Sequence, residues 1–200
     1  MLALHFIDIA EKNLGTVLNQ FDTIKKSAEM ITNVVLGGNN VFVVDKYGII
    51  DAELVERASG LAIFRSLKHG RSQLTGEDVL VISSYHSADE YDLDHLRKAH
   101  SLGASVISIS PPGELAQNSD IALLNTADEQ NGVITVSGIV RPFCPVNGII
   151  NAAFAWALSA EIATLIIADG KIPTIFAGEY LADGEEKISR ARKEFSSRGY

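Results

Sequence analysis

The stretch Asp78-Val79-Leu80-Val81-Ile82-Ser83, running into Ser84-Tyr85-His86-Ser87-Ala88-Asp89, decides the fold. Four consecutive apolar residues without polar alternation suit a strand covered on both faces, as in a parallel sheet. A polar loop follows, then a helical pattern over 89–102 that Gly103 closes. The same phrase recurs on both sides. Upstream, Val41-Phe42-Val43-Val44-Asp45 reads as a strand and Asp45-Lys46-Tyr47-Gly48 as its loop. Asp51 then caps a helix over 52–59 that buries Leu54, Val55 and Ala58. Residues 61–67 read as a further strand. Downstream, 105–109 is a strand ended by Pro111-Pro112, a short helix lies near 113–117, and 121–124 is the fifth strand. Strands alternating with helices at this spacing predict an α/β fold, a doubly wound five-stranded parallel sheet flanked by helices.

Long helical patterns bracket this core. Residues 5–36 carry an apolar stripe as one helix or two, with Gly15 the weak point, and Gly37-Gly38-Asn39-Asn40 ends it. Residues 148–168 form a continuously apolar helix, and 181–195 an exposed terminal one. Residues 132–140 alternate in part, as an extra strand or an extended connection. With no linker rich in Pro, Gly or Ser, residues 1–200 read as one domain.

Composition narrows the function classes. A 46% hydrophobic, 21% charged chain is globular rather than disordered. The net charge of −8 argues against nucleic acid. The one basic run, Arg190, Arg192, Lys193 and Arg198, is interleaved with Glu185, Glu186 and Glu194 as on a solvated helix face. Cys144 is the lone cysteine, which fits a reducing, cytoplasmic setting and an inert thiol. Asp8, Glu11 and Lys12 interrupt the N-terminal apolar stretch, so it does not read as a signal peptide. Asn151, Ser159 and Glu161 argue that 149–168 is a core helix and not a membrane span. No His and acidic residues share a face at metal spacing, so neither metal nor cofactor is expected.

Ligands of open α/β sheets bind outside the carboxyl ends of the strands. The loop after Ser83 is the most informative of these. The following helix offers unpaired N–H groups and partial positive charge, and the hydroxyls of Ser83, Ser84 and Ser87 add donors, a setting for phosphate. The plainer alternative is that Ser87 or Asp89 simply caps the helix. Asp89 and Glu90 also compete for the same positive end. His86 would face the crevice as an acid or base. Glu53 and Glu56 ride the helix after the first strand, whose amino end faces the same crevice.

The order of segments resembles the sugar isomerase (SIS) domain family, in particular its bacterial phosphoheptose isomerase-like branch. The resemblance spans residues 13–195. It is carried by Arg57-Ala58-Ser59-Gly60-Leu61, Gly76-Glu77-Asp78 leading into the strand, Gly103-Ala104-Ser105-Val106-Ile107-Ser108-Ile109, Ser119-Asp120-Ile121-Ala122, and Pro145-Val146-Asn147-Gly148-Ile149 before a long helix. It implies a flavodoxin-like three-layer sandwich, a homodimer or homotetramer, and a phosphorylated sugar as partner. Serines and threonines after the first and third strands would hold that sugar. Some members isomerise aldose and ketose forms; others sense sugar phosphates within transcription regulators. Two departures stand out. Asp45-Lys46-Tyr47-Gly48 replaces a first loop usually rich in Gly and Ser, with Lys46 left to supply charge. The usual Ser-x-Ser-Gly of the third-strand loop has lost its glycine in Ser83-Ser84-Tyr85-His86-Ser87. Two expectations follow. One is an isomerase in which Glu53 or Glu56 is the base, His86 handles the sugar oxygens, and Ser83, Ser84, Ser87 and Lys46 hold phosphate. The other is a noncatalytic binding or scaffold protein.

Overall fold

The computed structural model describes residues 2–55, 57–68, 73–127, 132–178 and 183–200. Among the described residues five strands run in chain order: β1 (Val41–Asp45), β2 (Phe64–Ser66), β3 (Val79–Ser83), β4 (Ser105–Ser110) and β5 (Ile121–Leu124). All neighbours pair parallel in the order β2-β1-β3-β4-β5. Among the described residues seven helices accompany them: α1 (Leu2–Leu18), α2 (Phe21–Leu36), α3 (Ile49–Leu54), α4 (Glu90–Leu102), α5 (Glu114–Asn118), α6 (Asn147–Ala168) and α7 (Gly184–Arg198).

The apolar strands feed two cores because successive side chains point to opposite faces. Val41, Val43, Val79, Val81, Ile107 and Ile109 face one side, where Ile31 and Val35 of α2 and Phe154, Leu158 and Ile162 of α6 cover them. Phe42, Val44, Leu80, Ile82 and Val106 face the other, under Leu93, Leu96 and Ala99 of α4 and Leu115 of α5. The result is the three-layer sandwich expected from the sequence. Helix α6 is long and apolar enough to cross a membrane, yet Ile150, Phe154, Ala155, Leu158, Ile162 and Ile166 are buried in the first core.

Several local expectations are corrected. The amino-terminal stripe breaks at Asn19-Gln20 and not at Gly15, which stays inside α1. The Gln20 side chain explains the break. It donates to Leu124 O (2.8 Å) and accepts from Leu124 N (2.8 Å), satisfying the end of β5 like an added strand. Helix α3 starts three residues early and is capped from Asp45, not Asp51. Asp45 Oδ2 accepts from Ile50 N (2.7 Å) and Oδ1 from Tyr47 N (2.9 Å). Gly48, at φ 76°, makes the turn between them. The helix ends at Leu54, where Val55 is extended. Beyond it, Ser59 N bonds Phe176 O, Phe176 N bonds Gly60 O and Ala62 N bonds Thr174 O, which draws the chain out of helix. The strand expected over 61–67 shrinks to β2, because Leu61 pairs antiparallel with Ile175 instead. Residues 132–140 form no strand; Ile134 and Phe143 make a single antiparallel bridge. Cys144, expected from the sequence as a buried, inert thiol, is half-buried at φ 60°. Helix α7 begins at Gly184; residues 181 and 182 lie outside the described residues, as does Glu56.

Candidate functional site

The register sets Asp45 of β1 beside Ser83 of β3, and Ser83 beside Ile109 of β4, so these residues share one level at the carboxyl edge. Ser83 continues the inward face of Val79 and Val81, so its hydroxyl turns under α6. There Asn151 Nδ2 donates to Ser83 Oγ (3.0 Å) and to Ser84 O (3.0 Å). Asn125, just past β5, donates from Nδ2 to Asn151 Oδ1 (2.6 Å) and to Asn147 O (3.0 Å). Asn125 Oδ1 accepts from Ala127 N (3.0 Å). Ser83, Asn125 and Asn151 are fully buried. This amide chain fastens the first turn of α6 to the ends of β3, β4 and β5. It satisfies polar backbone that would otherwise be buried without partners.

The loop after β3 is equally occupied. The Ser84 hydroxyl donates to His86 O (3.0 Å) and accepts from His86 N (3.2 Å), forming a tight serine turn. The Ser87 carbonyl accepts from Leu115 N (3.0 Å). Its Cβ would lie 2.4 Å from any Cβ at Gly113, so a glycine is needed where α5 begins. Asp89 is the cap of α4, accepting from Tyr91 N (2.9 Å), which was the plainer of the two sequence alternatives. Lys46 reaches across from the first loop and bonds Asp89 Oδ2 (2.7 Å). That ammonium, helped by the Tyr91 N–H, holds the Asp89 carboxyl below its usual range, and Asp89 raises Lys46 in return. Asp92, in the first turn, is buried with Oδ1 lacking a partner among the described residues. Burial pushes its carboxyl up, only partly offset by the Ser84 hydroxyl. The amino end of α4 therefore already holds carboxylates of its own.

A cleft of about 540 Å³ opens beside this loop. Tyr47 and Ile49 wall it after β1, and Tyr85 and His86 after β3. Pro145, Asn147, Gly148 and Ile149 close the third side at the start of α6. The rings of Tyr47 and Tyr85 lie 5.7 Å apart. Of the residues singled out from sequence, His86 alone lines the cleft among the described residues. Glu53 sits half-buried between helices, where its Oε2 accepts from Trp156 Nε1 (3.1 Å) and pairs with Arg57 (3.7 Å). Ser83 and Ser84 lie beneath the edge and Lys46 beside it. Tyr47, Tyr85, Asn147 and Gly148 fall within the segments read from the sequence but were not assigned to the site, although a helix start after Pro145-Val146 at a carboxyl edge was the available signal. Lys68 was also missed. Its ammonium contacts Asp45 O and lies 5.8 Å over the Tyr91 ring. Among the described residues, no group of three or more His, Cys, Asp or Glu is placed to hold a metal.

The chain is a three-layer α/β sandwich with its cleft at the carboxyl edge of β1 and β3, the edge at which open α/β sheets present their loops. Its fold is that of the sugar isomerase domain. The sugar isomerase domain of an RpiR transcription factor from Sphaerobacter thermophilus matches with a TM-score of 0.60 at 19% identity, covering 98% of each chain. The phosphoheptose isomerase of Neisseria gonorrhoeae matches with a TM-score of 0.57 at 17% identity, covering 80% of this chain and 97% of that one. A Methanococcus jannaschii protein with an inferred function of 3-hexulose-6-phosphate isomerase matches with a TM-score of 0.58 at 14% identity, over 92% and 96% of the two chains. No family model matches the sequence, and no curated protein sequence matches it.

Proposed function

We propose that residues 1–200 form one cytoplasmic phosphosugar-binding unit that binds its ligand in the cleft between β1, β3 and the start of α6, without turning it over. The observation that carries this reading is the cleft itself. Its volume is in the range of small-ligand pockets, and it lies at the carboxyl edge of the sheet in a fold shared with phosphosugar isomerases and a sugar isomerase domain. Binding is favoured over catalysis because the Glu53 carboxylate is engaged by Trp156 and Arg57 away from the cleft walls, and the Ser83 and Ser84 hydroxyls are spent on the fold. Isomerisation is the second reading, favoured by one observation: His86, a proton carrier, stands exposed in the cleft. The unit assembles as a homodimer or homotetramer, supported by the exposed Leu4, Ile7 and Leu18 of α1. Helix α6 serves as a core helix.

Incubation with pentose, hexose and heptose phosphates in deuterated water separates the readings. The binding reading expects thermal stabilisation by at least one phosphosugar, with no deuterium entering its carbon skeleton. Exchange abolished by a His86→Ala substitution establishes the isomerase instead. Absence of stabilisation by any phosphosugar overturns both.

A further inference from the structure

Of the helices that begin at the carboxyl edge, α3 and α5 are short, and the two long ones, α4 and α6, differ in what their amino ends hold. That of α4 is capped by Asp89 and followed by Glu90 and Asp92. That of α6, a helix of 22 residues, has no acidic residue in its first turn, and Val146 at its cap position supplies no side-chain bond. The Gly148 N–H meets only the neighbouring Asn147 Oδ1 (3.1 Å). Beneath this turn lies Tyr85, whose side chain is buried (8% exposed) and whose hydroxyl has no hydrogen-bond partner among the described residues. That hydroxyl is 3.9 Å from the point where a side chain would begin at Gly148. Buried hydroxyls almost always find a partner, so an orphaned one beside a helix end that carries no carboxylate, and whose Gly148 and Ile149 N–H groups meet only Asn147 Oδ1 and Val146 O, marks a place for an acceptor.

We propose that the first turn of α6, with the Tyr85 hydroxyl beneath it and His86 beside it, is the seat of the ligand's phosphate, in place of the serine loop after β3. The proposal rests on the phosphosugar reading and deepens it. The chemistry is that of an oxyanion on helix N–H groups plus a phenol O–H. Burial, reinforced by Asp45, raises the Tyr85 phenol well above its usual value, so it stays a donor at neutral pH. The absent side chain at Gly148 leaves room for an oxygen to approach the turn closely. The carboxylates at α4 exclude a second anion there, and Lys46 is already paired with one of them.

Titration calorimetry with inorganic phosphate and with pentose, hexose and heptose phosphates tests the seat, together with amide shifts of Asn147 and Gly148. Loss of one bond to a charged group corresponds to about tenfold or more in affinity, so Tyr85→Phe should weaken phosphate and phosphosugar by that factor. Gly148→Ala fits without steric conflict and improves helix propensity, so it should fold at least as well as the parent yet bind about tenfold more weakly or worse. Ser87→Ala should bind as the parent does. Loss of binding in Ser87→Ala with Tyr85→Phe and Gly148→Ala unaffected overturns the seat but leaves the phosphosugar reading standing. Equal affinity for a sugar and its phosphate also overturns the seat. A parent protein that binds neither phosphate nor any phosphosugar overturns both.

Discussion

Replacing Asn151 by alanine removes the centre of the amide chain that ties α6 to the sheet. Three good bonds go: the donation from Asn125 (2.6 Å) and the donations to Ser83 Oγ and Ser84 O (both 3.0 Å). Each contributes on the order of 1 kcal/mol net, and a buried group left without a partner costs about 1–3 kcal/mol. Asn125 keeps Asn147 O, so the groups orphaned outright are the Ser83 hydroxyl's acceptor side and the Ser84 carbonyl. No water replaces the lost donor cheaply, since Asn151 and Ser83 are fully buried. The expected loss is about 3–5 kcal/mol, a large part of the roughly 5–15 kcal/mol that holds a typical domain folded. Urea unfolding followed by far-ultraviolet circular dichroism reads it as a shift in midpoint at constant slope. A loss below about 1 kcal/mol would refute the reasoning, because the network would then be incidental to the α6 anchor.

Two further predictions concern buried carboxylates. Asp78 accepts from Asn40 N (2.8 Å), Asn40 Nδ2 (3.0 Å), Thr75 N (2.8 Å) and Thr75 Oγ1 (2.8 Å). Burial pushes its carboxyl up, but these four donors outweigh it and hold the carboxyl below the usual range. Its stabilisation is therefore complete above the unfolded pKa of about 4 and is lost as pH falls through the lower folded value. Asp78→Asn should cost roughly 1–3 kcal/mol at pH 7, and the gap to the parent should narrow in acid unfolding below about pH 4. Asp92 has the opposite sign: its folded pKa is raised, so the ionised form weakens the fold at neutral pH. Asp92→Asn should raise the unfolding midpoint at pH 7, and the advantage should shrink as acid protonates the parent's carboxyl.

The sheet was legible because parallel strands covered on both faces must be apolar along their length, and Val41 to Val44 and Val79 to Ile82 announce this directly. Element ends were less so. Asp45 caps α3 from the strand before it, and Gln20 satisfies a strand 104 residues away, contacts that local spacing cannot carry. The site was least legible. A loop serine reads as a phosphate ligand or as structural glue according to what stands over it, and Asn151, which claims Ser83, is 68 residues distant. Alternation along β3 did hold the clue, since Ser83 follows Val79 and Val81 onto the α6 face. Asp89 shows the competing rule prevailing: a carboxylate at the cap position fills the helix end before any ligand does.

The most direct test of the central claim is titration of the isotopically labelled chain with phosphosugars, reading backbone amide shifts alongside thermal stability. Saturation at about 100 times the dissociation constant should add roughly 2.7 kcal/mol of stability. The account predicts that a phosphosugar, and not its unphosphorylated sugar, shifts the amides of Tyr85, His86, Asn147 and Gly148 around the cleft. Shifts confined to α7 or α1, or none with any phosphosugar at millimolar concentration, would contradict it.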